Sequence, residues 1–382
     1  MITGHWIKGP IGLGAAARVT RSGCRTVLVV VPHLVAGTRL MDVVPLLEAD
    51  HRVQVVFAIP DSDGTWHGTQ DFVRAQGGVV LPWRQAVRER FGLVLAASYR
   101  GVDEVRGPAL VLPHGAGALK SRHRDWRGHG LDRAALVRDG RVVASTIVLS
   151  HDDEMAVLRE SCPEAAPSAL VGGDICLDRM AASLPYREWY RRALGVKPEQ
   201  TLVAVSSTWT EQSTFGAHPE LYRRLLDRGH RVAAVVHPNV WSVHGAWQVR
   251  AWLADCVRAG LVVIPPEEGW RAALVASDVV VGDHGSTTQY AAAIGRRMLL
   301  IPCRDGVVRA GSLADRLARR VPTVDPDRPD VDRATGGHEW IAESITSRPG
   351  AAAAILRRAM YRLLGLPEPA RAIPVSPVPL AV

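Results

Sequence analysis

The stretch SDVVVGDHGSTTQYAAAIGRRMLLIP, residues 277 to 302, decides the fold class. DVVVGD is a short apolar run that ends on polar residues, TTQYAAAIG reads as a helix closed by glycine, and RMLLIP is a second apolar run. Apolar runs of this length, joined through a helix, predict parallel strands buried on both faces. The same plan extends in both directions. Upstream, TLVAVSS (201–207), RVAAVVHP and LVVIP read as strands, and PELYRRLLDRG, AWQVRAWLADCVRAG and EEGWRAALVAS as helices. In AWQVRAWLADCVRAG, Val249, Trp252, Leu253, Cys256 and Val257 share one helical face, and Gly260 is a stop.

The first half repeats the pattern. RTVLVVVP (25–32), RVQVVFAIP (52–60), GVVLP, LVLAAS, PALVLP, STIVLS (145–150) and SALVGG read as strands. TRLMDVVPLLEAD, DFVRAQG, WRQAVRERFG and DDEMAVLRESC read as the helices among them. Two such series predict an α/β protein with two Rossmann-like, doubly wound parallel-sheet domains facing a cleft. The expected divisions are a first domain over 1–175, a linker over 176–200, a second domain over 201–335, C-terminal helices over 336–366 and a proline-rich tail over 367–382, extended or disordered. The length of 382 residues agrees, because single cores rarely grow so large.

Composition narrows the function classes. Hydrophobic residues make up 47% and charged residues 22%, ordinary values for a globular protein. No apolar run reaches the roughly 18 residues that span a bilayer, and no signal-peptide pattern is read at the N-terminus. The five cysteines, Cys24, Cys162, Cys176, Cys256 and Cys303, are scattered, which points to reduced thiols and a cytoplasmic setting. The net charge of +8 comes from arginines spread among many acids, not from a dense basic block. It suits anionic substrates and leaves room for peripheral contact with an anionic membrane, and no nucleic-acid partner is expected.

Histidine follows a predicted strand five times: His33, His114, His151, His237 and His284, out of 14 in the chain. Ligands of open α/β sheets bind at the carboxyl ends of the strands. One such histidine alone reads as a helix cap or a turn residue, but the group reads as a site. In VLPHGAGALK (111–120), His114 suits a general base, Gly115 and Gly117 allow close approach, and Lys120 can reach an anion. In VVGDHGSTTQ, Ser286 and Gln289 fit a capping box with Ser286 as the N-cap. That would set a helix N-terminus and the Ser286 and Thr287 hydroxyls at the sheet edge as an anion site. The loop AVSSTWTEQSTFG (204–216) and the VVHPN turn line the same edge. No metal-ligand spacing is found; His123 and His129 are the nearest grouping, and no metal or other cofactor is expected.

These segments carry a resemblance. PHGAGALK resembles the H-G-x-x-x-K segment of the CDP-glycerol glycerophosphotransferase family, which builds teichoic-acid-like polyol phosphate chains and belongs to the GT-B glycosyltransferase superfamily. VAVSSTWTEQSTFG, AAVVHPN and ASDVVVGDHGSTTQYAAAIGRRMLLIP resemble three further segments of that family, in the same order. The resemblance implies a GT-B fold, His114 as the base for an acceptor hydroxyl, and His237, Ser286 and Thr287 as holders of a nucleotide diphosphate without metal. It sets Ser207 and Thr208 near the nucleotide, and Asp283 fixes the loop or touches the ligand. The departures are His284 in place of the family's tyrosine, Val236 in place of an arginine, and HGAG for HGTP. The leading expectation is a metal-independent transferase moving a glycerol-phosphate-like or glycosyl group from a nucleotide-diphosphate donor to a hydroxyl. A nucleotide-sugar 2-epimerase using Asp152, Asp153 and Glu154 is the second expectation, and a non-catalytic anion-binding protein the third.

Overall fold

The computed structural model describes residues 6–12, 14–61, 66–117, 119, 130–302 and 306–381. They fold as two compact units. The first takes the described residues up to 117, residues 130–175 and 348–374; the second takes residue 119, 176–347 and 375–381.

The strands of the first unit are β1 (Arg25–Val30), β2 (Val53–Ala58), β3 (Val79–Leu81), β4 (Leu93–Ala96), β5 (Ala109–Val111), the hairpin pair β6 (Val137–Arg138) and β7 (Arg141–Val142), β8 (Thr146–Leu149) and β9 (Ala169–Val171). All but the hairpin join one parallel sheet in the order β3-β2-β1-β4-β5-β8-β9. The second unit holds β10 (Leu202–Ser207), β11 (Arg231–Val236), β12 (Val262–Val263), β13 (Val279–Gly282) and β14 (Arg297–Leu300), in the order β12-β11-β10-β13-β14. In both sheets the first strand lies inside and the chain winds outwards on either side of it. That is the doubly wound plan expected from the sequence. Burial explains the apolar runs: Val27 to Val30 and Leu93 to Ala96 have no exposed surface, and neither do Val203 and Val205.

The helices differ more from expectation. TRLMDVVPLLEAD is not one helix. A helix runs over Leu34–Leu40, and a short 3-10 turn follows at Val44–Leu47, where Pro45 cannot continue an α-helix. Residues 246–258 form two helices, Ala246–Trp252 and Ala254–Arg258, parted at Leu253. The expected linker over 176–200 is largely helical, with helices at Ile175–Ser183 and Arg187–Ala193. Arg187 and Arg191 both pair with Asp278, whose carboxylate also accepts the Leu202 N–H at 2.8 Å. This segment is therefore pinned to the start of the second sheet.

The tail is extended, and part of it is docked in the second unit. Val378 is buried, its N–H donates to Ser183 Oγ at 2.9 Å, and its carbonyl accepts from Tyr190 Oη at 2.7 Å. Arg179 donates to the carbonyls of Ser376 and Pro377. No helix among the described residues is long and apolar enough to cross a membrane.

Candidate functional site

The order of the first sheet reverses between β1 and β4, and ligands of such sheets collect outside the carboxyl ends of the strands there. His114 follows β5, and its Nδ1 lies 2.6 Å from the carbonyl oxygen of Ala97, just past β4. A carbonyl only accepts, so Nδ1 carries the proton and Nε2 is the ring's acceptor nitrogen. The ring of His33, just past β1, stands edge-on to that of His114 with centroids 5.2 Å apart. Three neighbouring strands thus deliver their ends to one place.

Buried polar pairs fix the loops around it. Arg39, on the Leu34–Leu40 helix, bonds Asp174 at 3.2 Å, with side chains 5% and 1% exposed. It also donates to the Gly115 carbonyl at 3.5 Å. Gly117 has φ +78°, and a Cβ there would meet Glu154 Oε1 at 2.6 Å. Glycine is needed twice over, for its backbone and for its bareness. Lys120, His123 and His129 lie outside the described residues.

The second sheet reverses between β10 and β13. Asp283, just past β13 and 6% exposed, is the hub there. Its Oδ2 accepts from Thr208 N at 2.7 Å, Thr208 Oγ1 at 2.8 Å and Thr214 N at 3.2 Å, while Oδ1 accepts from Gly285 N at 3.1 Å. Ser207 Oγ accepts from Phe215 N at 2.8 Å and donates to the Thr208 carbonyl at 3.0 Å. Asp283 and Thr208 thus stitch the loop after β10 to the turn after β13, and Ser207 ties the β10 loop to itself. Bare glycines permit this closeness: a Cβ on Gly285 would meet Thr208 Cγ2 at 2.7 Å.

The helix after β13 runs over Ser286–Ala293. Its N-cap is Gly285, not Ser286, and no side chain caps it. Asp283 explains the correction. It takes the Gly285 N–H from two residues upstream, so the chain turns into the helix one residue before the serine. Ser286 is then the first helical residue, and the N–H groups of the first turn lack acceptors within the helix. Ser286 and Thr287 are half-buried there.

His237 follows β11 and caps the Pro238–His244 helix, its Nδ1 accepting from Asn239 N at 3.1 Å. The proton of its neutral ring therefore sits on Nε2, the reverse of His114. His33 and His151 are also N-caps, accepting from Ala36 N at 3.2 Å and Asp153 N at 3.0 Å. Three of the five strand-end histidines thus take the role expected of each alone. His284 lies half-buried between Asp283 and Gly285. Of the three acids considered for an epimerase, Asp153 is exposed and the other two are engaged. Asp152 pairs with Arg348 through both oxygens at 2.9 Å, and Glu154 completes the His151 capping box. No group of three or more metal-ligating side chains is gathered among the described residues.

Sequence reasoning missed Arg39, Asp174 and the Ala97 carbonyl. Arg39 and Asp174 lie 135 residues apart and in no motif, and a carbonyl has no sequence signature.

No family model matches the chain, and no curated protein matches it. Solved structures do. The wall teichoic acid polymerase TagF, in a histidine variant soaked with CDPG, is similar with a TM-score of 0.57 and 11% identity, covering 89% of each chain. A second TagF variant gives 0.56 and 10% over 90% of each chain. Anabaena HepE in complex with UDP-glucose gives 0.47 and 12% over 89% of this chain and 99% of that one. The TagF likeness establishes the fold: this chain has a GT-B-like α/β architecture with two parallel sheets.

Proposed function

We propose that this chain is a transferase that moves a group from a nucleotide-diphosphate donor to a hydroxyl acceptor. The observation that carries the reading is the opposite set of the two histidines. His114, with its proton on Nδ1, offers Nε2 as a base. His237, with Nδ1 occupied by Asn239, offers an Nε2–H as a donor.

Each role follows from chemistry. A hydroxyl attacks well only as its proton leaves, and a histidine acceptor nitrogen near neutrality suits that step. The leaving nucleotide phosphate gains negative charge, which fixed N–H groups and hydroxyls stabilise. The first turn of the Ser286–Ala293 helix, the Ser286 and Thr287 hydroxyls and His237 Nε2–H are such donors. Asp283, Thr208 and Ser207 serve by holding the loops. In the reaction, the acceptor oxygen bonds to the transferred group and the bond from that group to the nucleotide phosphate breaks. The acceptor proton passes to His114, and the charge passes to the phosphate. These groups supply base and charge stabilisation without a metal.

The finer reading is a glycerol-phosphate-like group carried by CDP, with a glycosyl group on UDP as its variant. It is supported by the motif resemblance and by TagF, a fold relative solved with CDPG. Lys120 and Gly115 are proposed for the acceptor side, and peripheral contact with an anionic membrane remains part of the proposal. Turnover of CDP-glycerol and UDP-glucose with a polyol acceptor tests the reading. His114→Ala is expected to slow transfer by about 10²- to 10⁴-fold while donor binding persists; normal turnover in that variant would overturn the assignment.

A further inference from the structure

Trp209, in the loop after β10, is 39% exposed, although its neighbours are firmly tied. The residue before it donates twice to Asp283, through Thr208 N and Thr208 Oγ1. Beyond it, Thr214 Oγ1 donates to the Ser206 carbonyl at 2.9 Å, and Ser213 caps the short Thr214–Ala217 helix. A Cβ on Gly216 would meet the Thr210 carbonyl oxygen at 2.5 Å, so the loop closes tightly on itself. A large ring held out on so constrained a loop is preorganised, and little freedom is lost when a flat ligand settles on it.

Its position says which ligand. β10 is the central strand, paired with both β11 and β13. Its carboxyl end is flanked by His237 after β11 and by the Ser286–Ala293 helix after β13. The rings of Trp209 and His237 lie 6.4 Å apart and tilted by 34°. A flat π surface therefore sits beside two groups suited to an anion, and a nucleoside diphosphate carries a flat ring one ribose away from its charge. We propose that Trp209 is the stacking surface for the nucleobase of the donor. The inference rests on the transferase reading above and extends it to the part of the donor that does not react. Stacking does not read base edges, so Trp209 supplies affinity for nucleotides as a class rather than a choice among bases.

Trp247 is the natural control. It is 77% exposed but lies on the Ala246–Trp252 helix, not at a strand's carboxyl end. The test is calorimetric titration of the full chain with CDP, UDP and inorganic pyrophosphate. Trp209→Ala should weaken CDP and UDP alike, by about 5- to 150-fold, the range that base–aromatic stacking supplies. Pyrophosphate should bind as to the wild type, Trp209→Phe should recover most of the loss, and Trp247→Ala should change nothing. If Trp209→Ala left nucleotide affinity unchanged, or weakened pyrophosphate by the same factor, stacking would be refuted while the donor site stood. If the wild type bound neither CDP nor UDP, the transferase reading itself would fall.

Discussion

In the first unit, the histidine after β5 turns Nδ1 towards a carbonyl oxygen; in the second, the histidine after β11 turns the same atom towards an amide N–H. Residue type and position at a strand end are the same, yet the rings present opposite chemistry. The neighbour decides it. His237 is followed by Pro238 and the turn of a helix, so its ring folds back on the Asn239 amide. His114 is followed by GAG, which is not helical, and its ring reaches across to the end of β4. His33 and His151 behave like His237, which makes His114 the exception among these four and, in the proposed reaction, the base.

The comparison breaks first at His114. Replacing it with alanine should lower kcat by about 10²- to 10⁴-fold, the usual reach of a general base, with donor affinity unchanged in a titration. Asp283→Ala should come next, through stability. Four donors lose their acceptor in a buried place, and orphaned buried polar groups cost about 1–3 kcal/mol each before water enters. A fall of about 1–3 kcal/mol in urea unfolding is expected, because the orphaned donors are neutral and three of the four are only part-buried. His237→Ala should weaken donor binding by about 10- to 150-fold, the value of a hydrogen bond of about 1.5–3 kcal/mol to a charged group. Its melting temperature should fall only slightly, because one cap bond is worth about 1 kcal/mol.

The smallest effect is acid sensitivity. Burial raises the Asp278 carboxyl, but the Leu202 N–H, Arg191 and Arg187 outweigh it, and the net pKa lies below the ordinary value. In the first unit, hydrogen bonding from Arg52 holds Asp50 well below the ordinary carboxylate range. A carboxyl with a depressed folded pKa contributes stability above its unfolded value, near 3.9, and loses it as pH falls through the folded value. Stability should therefore decline below about pH 4, and Asp278→Asn should flatten that part of the profile.

Much of this was legible in the sequence. Parallel strands buried on both faces are apolar along their buried length, so β4 and most of β1, β10 and β13 stand out as runs of valine, leucine and alanine. Helix limits were less legible, because they depend on contacts from elsewhere. The capping-box pattern at Ser286 was present, but Asp283 satisfied the Gly285 amide first. The helices at Ile175–Ser183 and Arg187–Ala193 were hidden by Pro185 and a run of charges, and Asp278, 87 residues from Arg191, holds the latter in place. For the site, the strand-end histidines marked the right edges. Their protonation could not be read, because it rests on the Ala97 carbonyl and the Asn239 amide.

The central claim is about two protons, and it can be observed directly. Long-range ¹H–¹⁵N correlation spectra of the imidazole rings, recorded above neutral pH and assigned with His114→Asn and His237→Asn, report which nitrogen is protonated. His114 should show its proton on Nδ1 and His237 on Nε2. A spectrum with both rings in the same tautomer, or with the two reversed, would contradict the account.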